Sequence, residues 1–164
     1  MNKLSLTVER LQQVLAYDQQ TGVFRWRIAR GNGIKPGDIA GRIKTGGYRQ
    51  ISVDGCRYGA SRLAWLYVNG SWPTHEIDHK NGLTSDDRIE NLRDVTHSGN
   101  VQNIRHANCN NKLGFLGVSM EGNKFRAQIT INGGKLFLGN FSKPEEAHAA
   151  YLAAKRELHS TCTI

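Results

Sequence analysis

Apolar residues near the N-terminus recur at the spacing of one face of a helix. They are Leu6, Leu11, Val14 and Leu15. Ser5 or Thr7, directly before this pattern, is of the type that caps helices, because its side-chain oxygen can accept a backbone N–H of the first turn. The pattern therefore predicts a short first helix.

The pattern changes to alternation between residues 22 and 58. Three runs there alternate or are β-branched, and glycines separate them: residues 23–26, 39–43 and 48–53. Such runs predict strands, since successive side chains of a strand point to opposite faces. The pair Asp54-Gly55, which directly follows the third run, is typical of a tight hairpin. A small sheet with many turns is therefore expected in this region.

A short helix and a polar region follow the predicted sheet. Residues 62–68 read RLAWLYV and precede Asn69-Gly70, which predicts a buried helix that ends at this pair. Residues 71–106 are polar, rich in asparagine and contain four of the six histidines. Residues 108–112 have the composition of a linker.

The C-terminal part of the chain predicts a second small sheet and a final helix. Glycines punctuate a β-type stretch over residues 117–141, in which alternation defines an inward face. The side chains expected to face inward are Phe125, Ala127, Ile129, Leu136 and Leu138. Ser142, with Glu145 three positions later, has the spacing of a capping box. The helix is expected to pack on the sheet through Ala147, Ala150, Tyr151 and Ala154.

Composition restricts the partners that the chain can have. Its 164 residues, 38% of them hydrophobic, suffice for one domain or two small ones. A formal charge of +8 favours a polyanionic partner, although charge alone does not separate DNA, RNA and an anionic membrane. The sequence contains no run of about 18 apolar residues, and its N-terminus is amphipathic rather than a secretion signal. We therefore expect a cytoplasmic protein that does not enter a membrane.

The three cysteines do not form a recognisable pattern. Cys56, Cys109 and Cys162 are odd in number, far apart and without a C-x-x-C pair. This spacing argues against a zinc ribbon and against a disulfide framework. We expect three reduced thiols and no small-molecule cofactor.

Seven basic residues lie on or beside the predicted N-terminal strands. They are Arg25, Arg27, Arg30, Lys35, Arg42, Lys44 and Arg49. They could line a track for a nucleic-acid backbone, or they could be ordinary solvated charge. The sequence leaves both interpretations open.

Three polar blocks between residues 76 and 103 contain the residue types that phosphodiester hydrolysis needs. Asp78-His79 lies in the first block, Asn91 in the second and Asn100 in the third. Hydrolysis needs a base for the water and a divalent cation for the charge that develops on phosphorus, and hard cations prefer oxygen ligands. Neighbours on a strand point to opposite faces, so Asp78 and His79 share a site only where the strand ends or turns. Each block alone is also compatible with an ordinary turn or a helix cap.

In order, the blocks read I-D-H-x-N-G, D-R-x-x-N-L-R and S-G-N-x-x-N. With the preceding helix, residues 62–103 resemble the HNH endonucleases of phages and mobile introns, whose ββα-metal core is a hairpin followed by a helix. The resemblance implies that His79 is the general base, Asp78 a metal ligand and Asn91 the brace of the loop around His79. Asn100 would be the second protein ligand of one divalent ion, expected to be Mg²⁺, with Mn²⁺ able to replace it.

The same resemblance bears on DNA contacts and on activity. Arg62 and Arg93 are expected to contact DNA. Ser61 departs from the family, because many relatives have histidine there, before Arg-Leu. An alternative function is therefore a weakened or inactive relative that acts as a sequence-specific DNA-binding protein. A third hypothesis is an RNA-binding or RNA-cleaving protein.

Residues 114–158 are similar to a second family, the AP2 DNA-binding domain that is often fused to phage HNH endonucleases. The similarity lies in F-R-A-Q-I, F-L-G-N-F and E-A-H-A-A-Y, which begin at Phe125, Phe137 and Glu146. It implies a three-stranded antiparallel sheet, packed on one helix, that enters the major groove. The residues expected to contact DNA are Arg126, Gln128, Thr130 and Lys135. Without the family, the same face would be interpreted as an ordinary half-solvated sheet.

The expected fold class is α+β, with a ββα-metal nuclease core that follows a small N-terminal β-rich region. We expect an HNH domain over residues 1–108, with an N-terminal helix and a basic β-region over residues 1–60 and the HNH core over residues 61–106. An AP2-like domain is expected over residues 109–164. The predicted function is metal-dependent cleavage of double-stranded DNA by a phage or homing endonuclease, in the host cytoplasm. The target sequence, the number of strands cut and the oligomeric state are not predicted.

Overall fold

The computed structural model describes residues 6–31, 33–108 and 110–163. These residues form two compact units, the first ending at Thr96 and the second beginning at His97. The possible cap Ser5 and the thiol of Cys109 lie outside the described residues. Cys56 and Cys162 are half-buried and are not joined to each other by a disulfide. No helix in the described part of the chain is long and apolar enough to cross a membrane.

The first unit begins with the predicted helix. Helix α1 (Val8–Val14) is capped by Thr7, whose hydroxyl oxygen accepts the backbone N–H of Arg10 at 3.3 Å. Strand β1 (Leu15–Asp18) then pairs antiparallel with β2 (Val23–Trp26). The turn between them contains Gly22 at a φ of +73°, a conformation that costs glycine little.

A three-stranded sheet follows, in the order β3-β4-β5. Strand β4 (Arg49–Val53) pairs with β3 (Arg42–Ile43) and with β5 (Cys56–Gly59). The predicted hairpin at Asp54-Gly55 is confirmed, with φ of 48° and 81°. Positive φ at both residues matches the right-handed twist of the flanking strands.

Helix α2 (Ala60–Asn69) confirms the predicted buried helix and begins two residues earlier than the pattern indicated. Gly70 ends it in the left-handed conformation, and its N–H donates to the Leu66 carbonyl. The core of the first unit forms where α1, α2 and the strands meet; its most buried side chains include Leu11, Leu15, Phe24, Ile51 and Leu63. Each buried side chain of this size stabilises the fold by about 1.5–3 kcal/mol.

The first unit closes with a two-stranded hairpin. Strand β6 (Glu76–His79) pairs antiparallel with β7 (Leu92–Val95), and a 3₁₀ turn (Ile89–Asn91) leads into β7. In this register Asp78 lies opposite Arg93. The long loop between the strands carries polar side chains, some of which hydrogen-bond within the loop, such as Asn81 to Asp86 at 2.7 Å.

The second unit contains a three-stranded antiparallel sheet and two helices. Helix α3 (His97–Gln102) begins the unit. Strands β8 (Val118–Glu121), β9 (Lys124–Ile131) and β10 (Gly134–Phe141) form a sheet in the order β10-β9-β8. Helix α4 (Pro144–Leu158) buries Ala147 and Tyr151, while Val118, Ala127 and Ile129 are buried on the sheet. A three-stranded sheet with one long helix is therefore present where the sequence predicted it.

Three details of this unit differ from the prediction. Ser142 does not cap α4: the cap is Lys143, without a side-chain hydrogen bond, because Pro144 occupies the first turn and holds the preceding residue extended. The predicted alternation in β10 breaks at a bulge, so that Leu138 is the extra residue between Phe137 and Gly139. Leu136 lies opposite Ile129 but is 45% exposed, because it stands near the end of an edge strand.

One buried charge in α4 was not predicted. Lys155 is 1% exposed, and its ammonium donates to the backbone carbonyl of Ile104, just after α3. Burial lowers the pKa of this amine. Near the C-terminus, Thr161 donates its hydroxyl to the Gly99 carbonyl at 2.6 Å. Helix α3 is thus held by hydrogen bonds from the C-terminal part of the second unit.

Candidate active site

Asp78 and His79 lie where strand β6 ends and the chain turns. The His79 carbonyl accepts the N–H of Gly82 at 2.8 Å, which closes the turn directly after the strand. Asp78 is 7% exposed and His79 is 4% exposed. An acid and an imidazole are thus both buried at the last two positions of the strand.

The imidazole of His79 is paired with a carboxylate that the sequence did not single out. His79 Nε2 lies 3.1 Å from Asp87 Oδ1, and both side chains are at most 5% exposed. Burial strengthens such a hydrogen bond, because little water competes for either partner. The ring of Tyr48 stands edge-on to the imidazole at 6.0 Å. Asp87 is the first residue of the D-R-x-x-N-L-R block, and its place in that block was the sequence signal for this pair.

Asp87 itself is held from the N-terminal hairpin. Tyr17 donates its hydroxyl to the Asp87 carbonyl at 2.7 Å. Burial raises the pKa of Tyr17, and the nearby negative charge of Asp87 raises it further. Gly22 approaches the same backbone closely: a Cβ placed there would lie 2.6 Å from the Arg88 nitrogen. The N-terminal strands therefore fix the position of the carboxylate that contacts His79.

The Asp78 carboxylate forms an ion pair with Arg93. Both Nε and Nη2 of Arg93 donate to Asp78 Oδ2, at 2.8 and 2.7 Å. The pair follows from the strand register, which places the two residues opposite each other. Arg93, which the sequence assigned to DNA contact, is therefore placed on the predicted metal ligand and orients its carboxylate.

Asn91 connects the two sides of the loop that follows His79. Its side-chain oxygen accepts the N–H of Asn81 at 3.0 Å, and its amide donates to the Asp86 carbonyl at 2.8 Å. Its backbone carbonyl accepts the N–H of Lys80 at 2.8 Å. With 6% exposure, the side chain has two partners within the loop and lies next to the turn that carries His79.

Asp86 and Arg88 form a second ion pair in this loop. Arg88 Nε and Nη2 donate to the two carboxylate oxygens of Asp86, at 2.8 and 2.7 Å. The Arg88 guanidinium lowers the pKa of Asp86 to about 2, and Asp86 in turn raises the pKa of Arg88. Thr84 ties the loop to the sheet by donating to the Gly46 carbonyl at 2.6 Å. The loop is thus fixed on both sides of Asp87.

Arg62 lies on α2, next to Ser61, and contacts the segment before β6. Its Nη1 donates to the His75 carbonyl at 2.9 Å, and its guanidinium lies 5.8 Å from the ring centre of Trp72. Asp94 accepts the backbone N–H of His75 at 2.8 Å. Arg62 therefore stabilises the segment that leads into β6. Its contact with DNA stays a prediction.

The residues predicted for a metal ion are divided between the two units. Asp78 lies in the first unit, and Asn100 lies on α3 in the second. No cluster of three or more His, Cys, Asp or Glu side chains that could hold a metal occurs among the described residues. The donor chemistry nevertheless fits a hard divalent ion, because a carboxylate and an amide supply oxygen and Mg²⁺ retains several waters.

The four residues predicted to contact DNA in the second unit share one face of the sheet. Arg126, Gln128 and Thr130 alternate with the buried residues of β9, and Lys135 lies opposite Thr130. Phe137, opposite Gln128, is 52% exposed, and the guanidinium of Arg126 lies 5.0 Å from its ring centre. The outward face thus combines positive charge, an amide, a hydroxyl and an exposed aromatic ring.

One comparison with known proteins finds a match to part of the chain. Residues 58–102, about a quarter of the sequence, match the family model described as HNH endonuclease. The matched segment runs from β5 into α3 and contains Asp78, His79, Asn91 and Asn100. No curated protein and no solved structure matches the chain. The match supports an HNH nuclease, indicates nuclease activity and implies DNA as the substrate.

Proposed function

We propose that this protein is a metal-dependent endonuclease that hydrolyses phosphodiester bonds of double-stranded DNA. One observation carries the proposal: the buried His79–Asp87 pair, next to Asp78, inside the segment that matches HNH endonucleases. A base with a carboxylate partner, adjacent to an oxygen ligand, is what in-line hydrolysis of a phosphodiester requires.

In this mechanism His79 is the general base. Asp87 accepts a hydrogen bond from the Nε2–H of His79. Because the proton of the neutral ring is then on Nε2, the basic lone pair is on Nδ1. Nδ1 takes a proton from water while the water oxygen bonds to phosphorus and the bond from phosphorus to the 3′-oxygen breaks. Asp87 stabilises the resulting imidazolium by its negative charge, and Asn91 holds the turn in which His79 lies.

Asp78 and Asn100 would hold the divalent ion, with Mg²⁺ as the expected ion and Mn²⁺ as a substitute. When bound, the ion supplies positive charge for the phosphorane and for the leaving oxygen. Arg93 orients the Asp78 carboxylate through the oxygen Oδ2. The roles of Asp78 and Asn100 rest on the family resemblance.

The second unit is proposed to select the site. Its outward face carries Arg126, Gln128, Thr130 and Lys135. Arginine suits a contact with guanine or phosphate, glutamine a contact with adenine, and lysine a contact with phosphate. The proposal that this sheet is an AP2-like domain rests on sequence similarity and on the three-stranded topology. Two linked DNA-binding modules raise the apparent affinity through effective concentration. A phage or homing origin rests on the same resemblance.

Metal dependence on supercoiled plasmid tests the proposal. We expect the wild-type protein to nick or linearise plasmid in Mg²⁺ and in Mn²⁺, and to leave it intact in EDTA. The product form distinguishes cutting of one strand from cutting of both. Duplex DNA should compete for the enzyme better than duplex RNA. Plasmid that is bound but stays intact in Mg²⁺ would contradict the proposal and favour the non-cutting alternative that Ser61 suggests.

A further inference from the structure

A groove on the first unit lies outside the candidate active site. Its floor is the outward face of β4, where Gln50 and Ser52 alternate with the buried Ile51 and Val53. The segment after β2 borders this face, and the open groove between them has a volume of about 550 Å³. The charged residues that line the groove are Arg30, Arg42 and Arg57.

The three arginines surround the groove from different elements. Arg42 on β3 lies opposite Gln50, and Arg57 on β5 lies opposite Ser52; both side chains are exposed. None of the described lining residues is acidic. Three guanidinium groups without a lining carboxylate concentrate positive potential in a concave surface, which attracts a polyanion.

Arg30 is held in a fixed orientation at this groove. Its guanidinium lies 4.5 Å from the ring centre of Trp26, and its Nη1 donates to the Ser52 carbonyl at 2.6 Å. Trp26, the stacking partner, is 5% exposed and packs in the hydrophobic core. An arginine whose orientation is already fixed loses little side-chain entropy when it binds a phosphate.

The structure separates the basic residues that the sequence left undecided. Arg25 donates to the Gly37 carbonyl, and Arg27 donates to the Leu15 carbonyl. These contacts stabilise the fold of the N-terminal strands. Arg30 and Arg42 line the groove together with Arg57, which the sequence pattern had not singled out.

We propose that this groove binds the sugar-phosphate backbone of the duplex DNA that the protein cleaves. The inference rests on the proposed function for its partner, but it concerns a surface that the cleavage chemistry does not use. Guanidinium groups bind phosphate through paired N–H donors, and Gln50 adds an amide donor on the floor. The contact would hold DNA without reading its sequence.

The test is the salt dependence of DNA binding, measured by fluorescence anisotropy with a labelled duplex in EDTA so that no cutting occurs. Each phosphate contact contributes about 0.9 to the slope of log affinity against log salt. The double variant Arg42→Gln/Arg57→Gln should therefore lower that slope by about 2. Its affinity deficit relative to wild type should shrink roughly tenfold between about 50 and 200 mM salt.

Two matched variants separate a local contact from a loss of net charge. Lys112→Gln/Lys143→Gln removes the same charge from exposed positions of the second unit and should leave the slope close to wild type. Arg42→Lys/Arg57→Lys retains the charge and should restore most of the slope, which a folding defect would not do. The groove proposal would be overturned if the slope of Arg42→Gln/Arg57→Gln equalled that of wild type or that of Lys112→Gln/Lys143→Gln. A change seen with duplex RNA alone would also overturn it; cleavage of plasmid by the same variant would leave the nuclease proposal intact.

Discussion

The two side chains at the end of β6, Asp78 and His79, each have a hydrogen-bonded partner that fixes their orientation. Asp87 holds the imidazole of His79, and Arg93 holds the carboxylate of Asp78. Asn91 uses its oxygen and its amide within the loop that follows. The proposed base His79, the predicted metal ligand Asp78 and the loop residue Asn91 are therefore distinguished by their contacts, although all three residue types are common in ordinary turns.

Asp87 is expected to position His79 rather than to react itself. Asp87→Asn replaces an acceptor by an amide, so the imidazole loses its charged partner and its preferred tautomer. We expect kcat to fall by about 10²-fold or more, because the base loses its correct tautomer, with KM and DNA affinity close to wild type. The ¹⁵N shifts of the His79 ring should change with the tautomer.

A neighbouring carboxylate serves as the control for Asp87. Glu90 is exposed and pairs with Arg88 at 2.9 Å, so Glu90→Gln changes charge in the same loop without contacting His79. It should leave kcat and the ring shifts unchanged. Equal losses in Asp87→Asn and Glu90→Gln would mean that loop charge matters and that the His79 contact does not.

At the level of elements, the loop between β6 and β7 is fixed by structure far away in sequence. The β1–β2 turn contacts its backbone at Gly22, and the loop before β4 accepts a hydrogen bond from Thr84 at Gly46. The loop has no periodic pattern of its own. Its geometry therefore depends on the N-terminal strands of the first unit.

Two glycine substitutions test this dependence. Gly22 and Gly55 have similar positive φ, 73° and 81°, but a Cβ at Gly22 would lie 2.7 Å from the Asp87 carbonyl carbon, whereas Gly55 has nothing within 4 Å. Gly55→Ala should cost about 1–2 kcal/mol of unfolding free energy from backbone strain alone. Gly22→Ala should cost more and should also lower kcat, as denaturant unfolding and cleavage assays would show. An unchanged kcat in folded Gly22→Ala would contradict the role of the turn.

The regular elements could be predicted from sequence because they have a period. The Asp54-Gly55 hairpin and helix α2 were predicted by turn chemistry and apolar spacing. The Leu138 bulge was not, since an inserted residue leaves no mark on an alternating pattern. The Asp87 contact was also missed, because it depends on how an irregular loop folds and not on spacing along the chain.

At the level of the whole molecule, chemistry and site selection are proposed to belong to different segments. The HNH match ends at residue 102, and the sheet proposed to read DNA begins at Val118. The compact units divide after Thr96, whereas the predicted domain boundary lies between residues 108 and 109 and stays a prediction. Helix α3, which carries Asn100, is thus held within the second unit by Thr161 and Lys155. The formal charge of +8 is consistent with a polyanionic substrate for both segments.

The most direct measurement is the single-turnover rate of plasmid cleavage by His79→Ala in Mg²⁺, with DNA affinity measured in parallel. Loss of a general base lowers rates by about 10²–10⁴-fold, so we predict a loss in that range with affinity unchanged. Cleavage by His79→Ala at the wild-type rate would show that the base lies elsewhere and would contradict the account.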